Sequence, residues 1–275
     1  MFVDWEKMSV KKIREKILEM PPEWRLAVIG ELRLDSRKGV QNLAWGLEKE
    51  LAAEEKERAR LKQLLAKEEG LRKAGYQFIG GIDEAGRGPL AGPVAAACVL
   101  LPPHCFWAGL NDSKKLSAQQ REDLARKIKK EAVAWAVGLV SHKEIDRINI
   151  YQATKVAMLK AVKALAVQPD YLLLDAMRIE TKIPQQSIVH GDCQCAAIAA
   201  ASIIAKTYRD RIMELMDSFY PLYGFKENKG YGTARHLAAL QLYGPSPVHR
   251  RSFLSNYGEK FVEIPNLKGR VEHRG

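Results

Sequence analysis

The chain has few cysteines, no long apolar run and no internal repeat. Its 275 residues hold Cys98, Cys105, Cys193 and Cys195, with no C-x2-C pair among them. That spacing excludes a zinc ribbon and a dense disulfide scaffold, and reduced structural thiols are expected, as in a cytoplasmic protein. The apolar charge-free stretch at residues 196–205 falls well short of the ~18–20 residues a membrane helix requires. The opening Met1-Phe2-Val3-Asp4-Trp5-Glu6 is acidic and has no apolar centre, so no secretory leader is expected. Nothing in the pattern demands more than a monomer.

What is present is a sizeable core and a surplus of positive charge. Hydrophobic residues make up 47% of the chain, and the formal net charge is +11. Residues 1–70 carry 15 Lys/Arg against 14 Asp/Glu, which leaves 29 and 19 for the rest. The surplus therefore lies beyond residue 70, and a polyanion, nucleic acid first, is the partner it suggests. The pattern also changes near there. Residues 1–70 read as a helical appendage, and residues 71–275 as the main domain with a helical C-terminal part.

In the appendage, Ser9 is placed to cap a helix over 9–20 with Ile13, Ile17 and Leu18 on one face. A second helix over 23–34 sets Trp24, Val28 and Leu32 in a row. A third, over 37–71, carries Val40, Leu43, Leu47 and Leu51 and then a solvated charged run at 54–60. From residue 76 the periodicity predicts strands at 76–83, 94–101, 133–140, 171–175 and 187–190. Helices are predicted at 117–130, from the Ser141–Glu144 capping box to 165, and at 196–219. Strands mixed with helices predict an α/β fold: a mixed sheet with an antiparallel edge, flanked by helices.

One event recurs in this pattern. An apolar strand delivers a carboxylate at its end at Asp83 and again at Asp175, while Asp192 follows a third strand. Asp83 is doubled by Glu84 and followed by Gly86-Arg87-Gly88. Two acids at one site raise each other's pKa unless a cation joins them. Asp83, Glu84, Asp175 and Asp192 are therefore the expected ligands of a Mn2+ or Mg2+ pair suited to phosphodiester hydrolysis. The glycines suit close backbone approach to a ligand. They do not fit a dinucleotide fingerprint, because the third glycine falls one place late and a strand follows.

Other candidates are weaker when taken singly. Ser113 and Lys114, in the loop before a helix, suit phosphate contact. Lys206 on an apolar helix needs a carboxylate or an exit to solvent. Tyr231 between Gly230 and Gly232 reads as a flexible mount for a stacking ring. His249-Arg250-Arg251 reads either as a contact to duplex backbone or as a solvated face. Cys193-Gln194-Cys195 reads as small apolar filler at a helix start.

Residues 76–257 resemble bacterial ribonuclease HII. The resemblance is carried by the 81–93 segment from Gly81-Ile82-Asp83-Glu84 to Gly92-Pro93 and by Asn111-Asp112-Ser113-Lys114-Lys115-Leu116-Ser117. Leu173-Leu174-Asp175, Gly191-Asp192, Ala201-Ser202-Ile203-Ile204-Ala205-Lys206 and Lys229-Gly230-Tyr231-Gly232 complete it. It implies a ribonuclease H-like fold and metal-dependent hydrolysis of RNA in RNA–DNA hybrids. It also implies incision 5′ of single ribonucleotides in duplex DNA, leaving 3′-hydroxyl and 5′-phosphate ends. By position, Asp83, Glu84, Asp175 and Asp192 match the metal-binding acids. Gly86, Arg87 and Gly88 match the turn that contacts the ribose 2′-hydroxyl. Tyr231 matches the tyrosine at the ribo-to-deoxyribo junction, and Lys114 a residue near the phosphates. Cys193-Gln194-Cys195 departs from the more polar Lys/Ser-rich segment of many relatives. Two rival readings are a ribonuclease HIII-like enzyme restricted to hybrids, which Arg87 and Tyr231 disfavour, and a non-catalytic hybrid binder, which the four acids disfavour.

Overall fold

The computed structural model describes residues 4–103 and 105–255, except for the side chains of Pro22 and Glu23. The expected helical C-terminal part lies outside the described residues from position 256 onward. The chain divides into two compact units after Lys62. None of its described helices is long and apolar enough to cross a membrane.

The first unit is built from α1 (Val10–Glu19), α2 (Pro22–Leu32) and most of α3 (Lys38–Leu64). The Ser9 hydroxyl caps α1 by accepting from the Lys12 N–H. Ile13 and Ile17 share a buried cluster with Ile29, Leu32, Val40, Ala44 and Leu47, at the i, i+4 and i+7 spacings of apolar helix faces. Arg37 ties the loops, donating to the Met8 and Trp5 carbonyls at 2.7 and 2.8 Å and pairing with Asp35. Hydrogen bonds from the Arg37 guanidinium and N–H hold the Asp35 carboxyl down at about 2. Two residues placed on these apolar faces by spacing lie outside the buried cluster. Leu18 is half exposed and Trp24 lies mostly in solvent, because α1 buries Ile13 and Ile17 while α2 turns Ile29 and Leu32 inward.

The second unit opens with α4 (Ala66–Lys73), so the third predicted helix breaks at Leu65. Then follow β1 (Ile79–Ala85), β2 (Val94–Leu100), α5 (Ala118–Glu131), β3 (Ala134–Val140) and α6 (His142–Lys163). The chain continues through β4 (Tyr171–Asp175), β5 (Gln185–Ile188) and α7 (Ala196–Phe219). It closes with α8 (Phe225–Asn228), α9 (Ala234–Tyr243) and α10 (Arg251–Leu254). The strand order is β3-β2-β1-β4-β5. β1, β2 and β3 pair antiparallel, whereas β4 joins β1 in parallel and β5 joins β4 in parallel. The mixed sheet with an antiparallel edge is as expected.

Helices cover both faces. Alternate residues of β1 and β2, among them Ile82, Cys98 and Leu100, pack with Ala157, Met158 and Ala161 of α6. The other face meets α7 so closely that a Cβ on Gly81 would sit 2.0 Å from the Ala197 carbonyl carbon. Two adjacent parallel strands whose connections leave in opposite directions create a crevice at their C-terminal ends. Here those strands are β1 and β4.

Candidate active site

The β1–β4 register runs from Ile79 beside Tyr171 to Ile82 beside Leu174. One step further lie Asp83 and Asp175, on the same face of neighbouring strands about 4.8 Å apart at the backbone. The two acids that sequence spacing separates by 92 positions are thus neighbours. Asp83 is buried, its Oδ1 accepting from the Glu84 N–H at 2.7 Å. Burial raises its pKa well above the usual carboxylate range, and the charges of Glu84 and Asp175 raise it further. The Asp175 Oδ1 accepts from the Gly191 N–H at 2.8 Å, which draws the turn carrying Asp192 to the same place. Asp192 is buried too; burial raises its pKa, with Asp112 and Asp175 adding to the rise.

Glu84 also has a raised pKa, mainly from burial, although Arg87 opposes the shift. Its Oε1 pairs with the Arg87 guanidinium at 3.2 Å. Its Oε2 is buried and has no hydrogen-bond partner. An orphaned carboxylate oxygen among mutually repelling acids is costly unless a cation fills the gap. A hard divalent ion fits this donor set. Burial works to lower the Lys114 pKa, yet it is raised, because Asp112, Asp192, Asp83 and Asp175 all attract its charge. That sum is an independent sign that the acids converge.

The turn after β1 is held from below by two arginines. The Arg250 guanidinium donates to the Gly86, Arg87 and Gly92 carbonyls at 2.7, 2.9 and 3.0 Å. Arg209 donates to the Pro93, Lys229 and Ala91 carbonyls at 2.9, 2.9 and 3.1 Å. Burial pulls their pKa values to about 9 and about 10 respectively. In a trans peptide the C=O of one residue points opposite to the N–H of the next. Inward carbonyls at Gly86 and Arg87 therefore turn the Arg87 and Gly88 N–H groups outward. Among the described residues, neither amide has an internal acceptor. The result is a small amide-lined notch beside the acids. Gly88 faces Tyr231, since a Cβ there would lie 3.7 Å from the tyrosine Cε1, and the ring is nearly half exposed.

Asp83, Glu84, Asp175 and Asp192 are thus brought together, with Lys114 above them and the 86–88 turn and Tyr231 alongside. Other candidates move. Ser113 is buried, and its hydroxyl meets Ser202 Oγ at 2.8 Å, in the neighbourhood of Asp83. Lys206 pairs with Asp210 at 2.8 Å. Tyr231 sits on a fixed mount: Leu90 N–H bonds the Gly230 carbonyl at 2.8 Å and Asn228 Oδ1 holds the Gly230 N–H at 2.7 Å. His249 and Arg250 are fully buried, which rules out both surface readings for them. Cys195 is buried as expected of filler, but Cys193 is exposed, with the Lys115 ammonium 3.5 Å from its sulfur.

Sequence reasoning also missed partners. By sequence Asp112 falls in a polar loop, yet Asp112, Asp192 and Cys193 each bring a ligand atom within 4.8 Å of the others. Its position just before Ser113-Lys114 was the only signal. Arg209 carried none. Glu68 of α4 is wholly buried and accepts from the Ala197 N–H at 2.7 Å, capping α7 from outside. Burial raises its pKa above the usual range.

A five-stranded mixed sheet whose central parallel pair presents carboxylates defines a ribonuclease H-like nuclease. Family comparison agrees. The family model described as Ribonuclease HII matches residues 80–256, and one described as Ribonuclease HII N-terminal domain matches residues 9–72. A curated ribonuclease HII of Enterococcus faecalis is 50% identical over 249 residues, covering 90% of this chain and 96% of the relative. One of Bacillus licheniformis is 51% identical over 248 residues, with the same coverage, 90% and 96%. Among solved structures, the ribonuclease H2 of Pyrococcus horikoshii OT3 superposes with a TM-score of 0.55 at 26% identity, covering 64% of this chain and 93% of that one. The chain belongs to the ribonuclease HII family. It is a ribonuclease H, acting on RNA paired with DNA.

Proposed function

We propose that this enzyme is metal-dependent and that, besides hydrolysing RNA in hybrids, it incises duplex DNA 5′ of a single embedded ribonucleotide. The observation that carries this reading is one juxtaposition. Asp83, Glu84, Asp175 and Asp192 converge next to two outward amides at Arg87 and Gly88, with Tyr231 beside them. A 2′-hydroxyl is the one group that separates RNA from DNA at a given nucleotide, and a narrow amide notch suits it.

Asp83, Glu84, Asp175 and Asp192 are the residues that would hold Mn2+ or Mg2+, which when bound would neutralise the acids and activate water against the phosphodiester. The chain's own groups orient the substrate. Arg87 and Gly88 N–H groups meet the ribose, and the exposed face of Tyr231 packs on the nucleotide at the junction. Lys114, already drawn toward the acids, supports the phosphate. Hydrolysis breaks the bond from phosphorus to O3′, leaving a 3′-hydroxyl and a 5′-phosphate. Residues 1–70 are an accessory helical part, near-neutral and so not a dominant nucleic-acid surface. Residues 71–275 form the catalytic domain, working as a cytoplasmic monomer.

A duplex with one ribonucleotide tests this. Incision 5′ of that nucleotide is expected with Mn2+ or Mg2+ and none with EDTA. Cleavage of a uniform hybrid without cleavage of this duplex would overturn the reading, and so would incision that survives EDTA.

A further inference from the structure

Two histidines that the chemistry above does not use lie buried behind Tyr231. His236 Nδ1 is 2.8 Å from the Tyr231 carbonyl oxygen, which can only accept, so that nitrogen carries the proton. The Ser246 N–H points at His249 Nδ1 at 3.0 Å, so that nitrogen is bare. The two Nε2 atoms are 2.9 Å apart. With both rings neutral, only one proton order satisfies them: His249 Nε2–H donates to His236 Nε2. The rings are walled by Tyr223 and Phe225, with centroids 4.9 Å apart for Tyr223–His249 and 5.4 Å for Phe225–His236. A buried polar chain satisfied at every atom permits one arrangement and stiffens what it holds.

The next residue grips the other substrate element. Arg250 orients the Gly86 and Arg87 peptides, and the backbone on either side of His249 pairs with the 90–92 segment: Gly92 N–H to Val248 at 2.9 Å and Arg250 N–H to Leu90 at 2.8 Å. One dipeptide, His249-Arg250, thus sets the amide notch directly and Tyr231 through His236. We propose that His236 and His249 are positioning residues that fix Tyr231 in register with the 86–88 turn and thereby set selectivity for an isolated ribonucleotide. This rests on the reading of Tyr231 as a substrate contact.

The test compares His236→Gln with His236→Asn. The glutamine amide reaches toward His249 and abandons the Tyr231 carbonyl; the asparagine amide stands where Nδ1 stood and keeps it. Each variant retains one of the two bonds, so a purely structural role would affect both alike. With Mn2+, His236→Gln is expected to lower kcat/KM on a one-ribonucleotide duplex by about tenfold, and on a uniform RNA–DNA hybrid by less than about twofold. His236→Asn is expected to recover most of the loss. Tyr231→Ala is expected to show the same selective loss, and adding His236→Gln to it should have no further effect. Equal losses on both substrates, or equal behaviour of Gln and Asn, would overturn the proposal. So would losses that add in the double variant, and in that case Tyr231 stands as a contact. If Tyr231→Ala cleaves the one-ribonucleotide duplex normally, the substrate reading itself fails. Should urea denaturation show that His236→Gln does not fold, His236→Leu likewise leaves the Tyr231 carbonyl without its donor and carries the same expectation and the same refutation.

Discussion

Asp175→Asn is expected to lower cleavage by about three orders of magnitude or more, the scale of several kcal/mol of transition-state stabilisation. Hybrid binding should persist, since the notch and Tyr231 are untouched. The substitution keeps an oxygen for the Gly191 N–H, so the turn bearing Asp192 stays in place. Asp83→Asn should lose activity likewise, and the metal-free protein should melt at or above the wild-type temperature. Folding raises the pKa values of Asp83, Glu84 and Asp192. A group raised on folding stabilises the folded state at low pH, and that contribution is lost as pH rises through its folded value. At neutral pH the ionised cluster therefore opposes folding, and an amide removes one of the repelling charges. Thermal melts in EDTA, read beside cleavage, check both halves. A variant that is both active and less stable would count against the acids as ligands.

Gly86→Ala should damage both stability and turnover. Gly86 has φ +91°, and an added Cβ would lie 1.9 Å from Arg209 Nε and 2.3 Å from its Cδ. The backbone conformation alone costs an alanine about 1–2 kcal/mol. Displacing Arg209 would break its hydrogen bonds to the Pro93, Lys229 and Ala91 carbonyls, so a total near 3–5 kcal/mol is expected. Gly88→Ala is the contrast. Its Cβ meets only the Tyr231 ring at 3.7 Å, an ordinary contact. The fold should hold to within about 1 kcal/mol, while cleavage falls because a methyl group stands between the notch and the tyrosine. Urea denaturation with parallel assays separates the two. Loss of stability in both variants, or full activity in Gly88→Ala, would refute the notch.

Local patterns made much of this molecule legible. α7 spans the predicted 196–219, and β4 follows Tyr171-Leu172-Leu173-Leu174-Asp175 to the residue. The acids drew notice because the Asp83-Glu84 doublet runs into Gly86-Arg87-Gly88 and a second apolar strand ends in Asp175, a recurrence that a lone capping acid does not explain. Other features depended on partners far along the chain. β1 starts at Ile79 and not at Tyr76, because the Gln77 and Phe78 N–H groups go to the Asp170 carboxylate and not to a ladder. β5 sits two residues early, from Gln185 beside Leu172 to Ile188 beside Asp175. Arg250, and Arg209 at Pro93 and Ala91, serve backbone carbonyls more than a hundred positions away, a use of charge that no local periodicity records. A basic residue buried to orient peptides looks, in sequence, like one kept for a phosphate. Trp24 and Leu18 show the same limit from the apolar side, since helical spacing gives a stripe but not which stripe is buried.

The claim at the centre is that four carboxylates share divalent cations beside a ribose-reading notch. Manganese-edge anomalous diffraction from crystals grown with Mn2+ tests it most directly. The expected result is density between the Asp83 and Asp175 carboxylates, within reach of Glu84, that disappears in Asp83→Asn. Density confined to Asp112, Asp192 and Cys193, or no bound ion at saturating Mn2+, would contradict it.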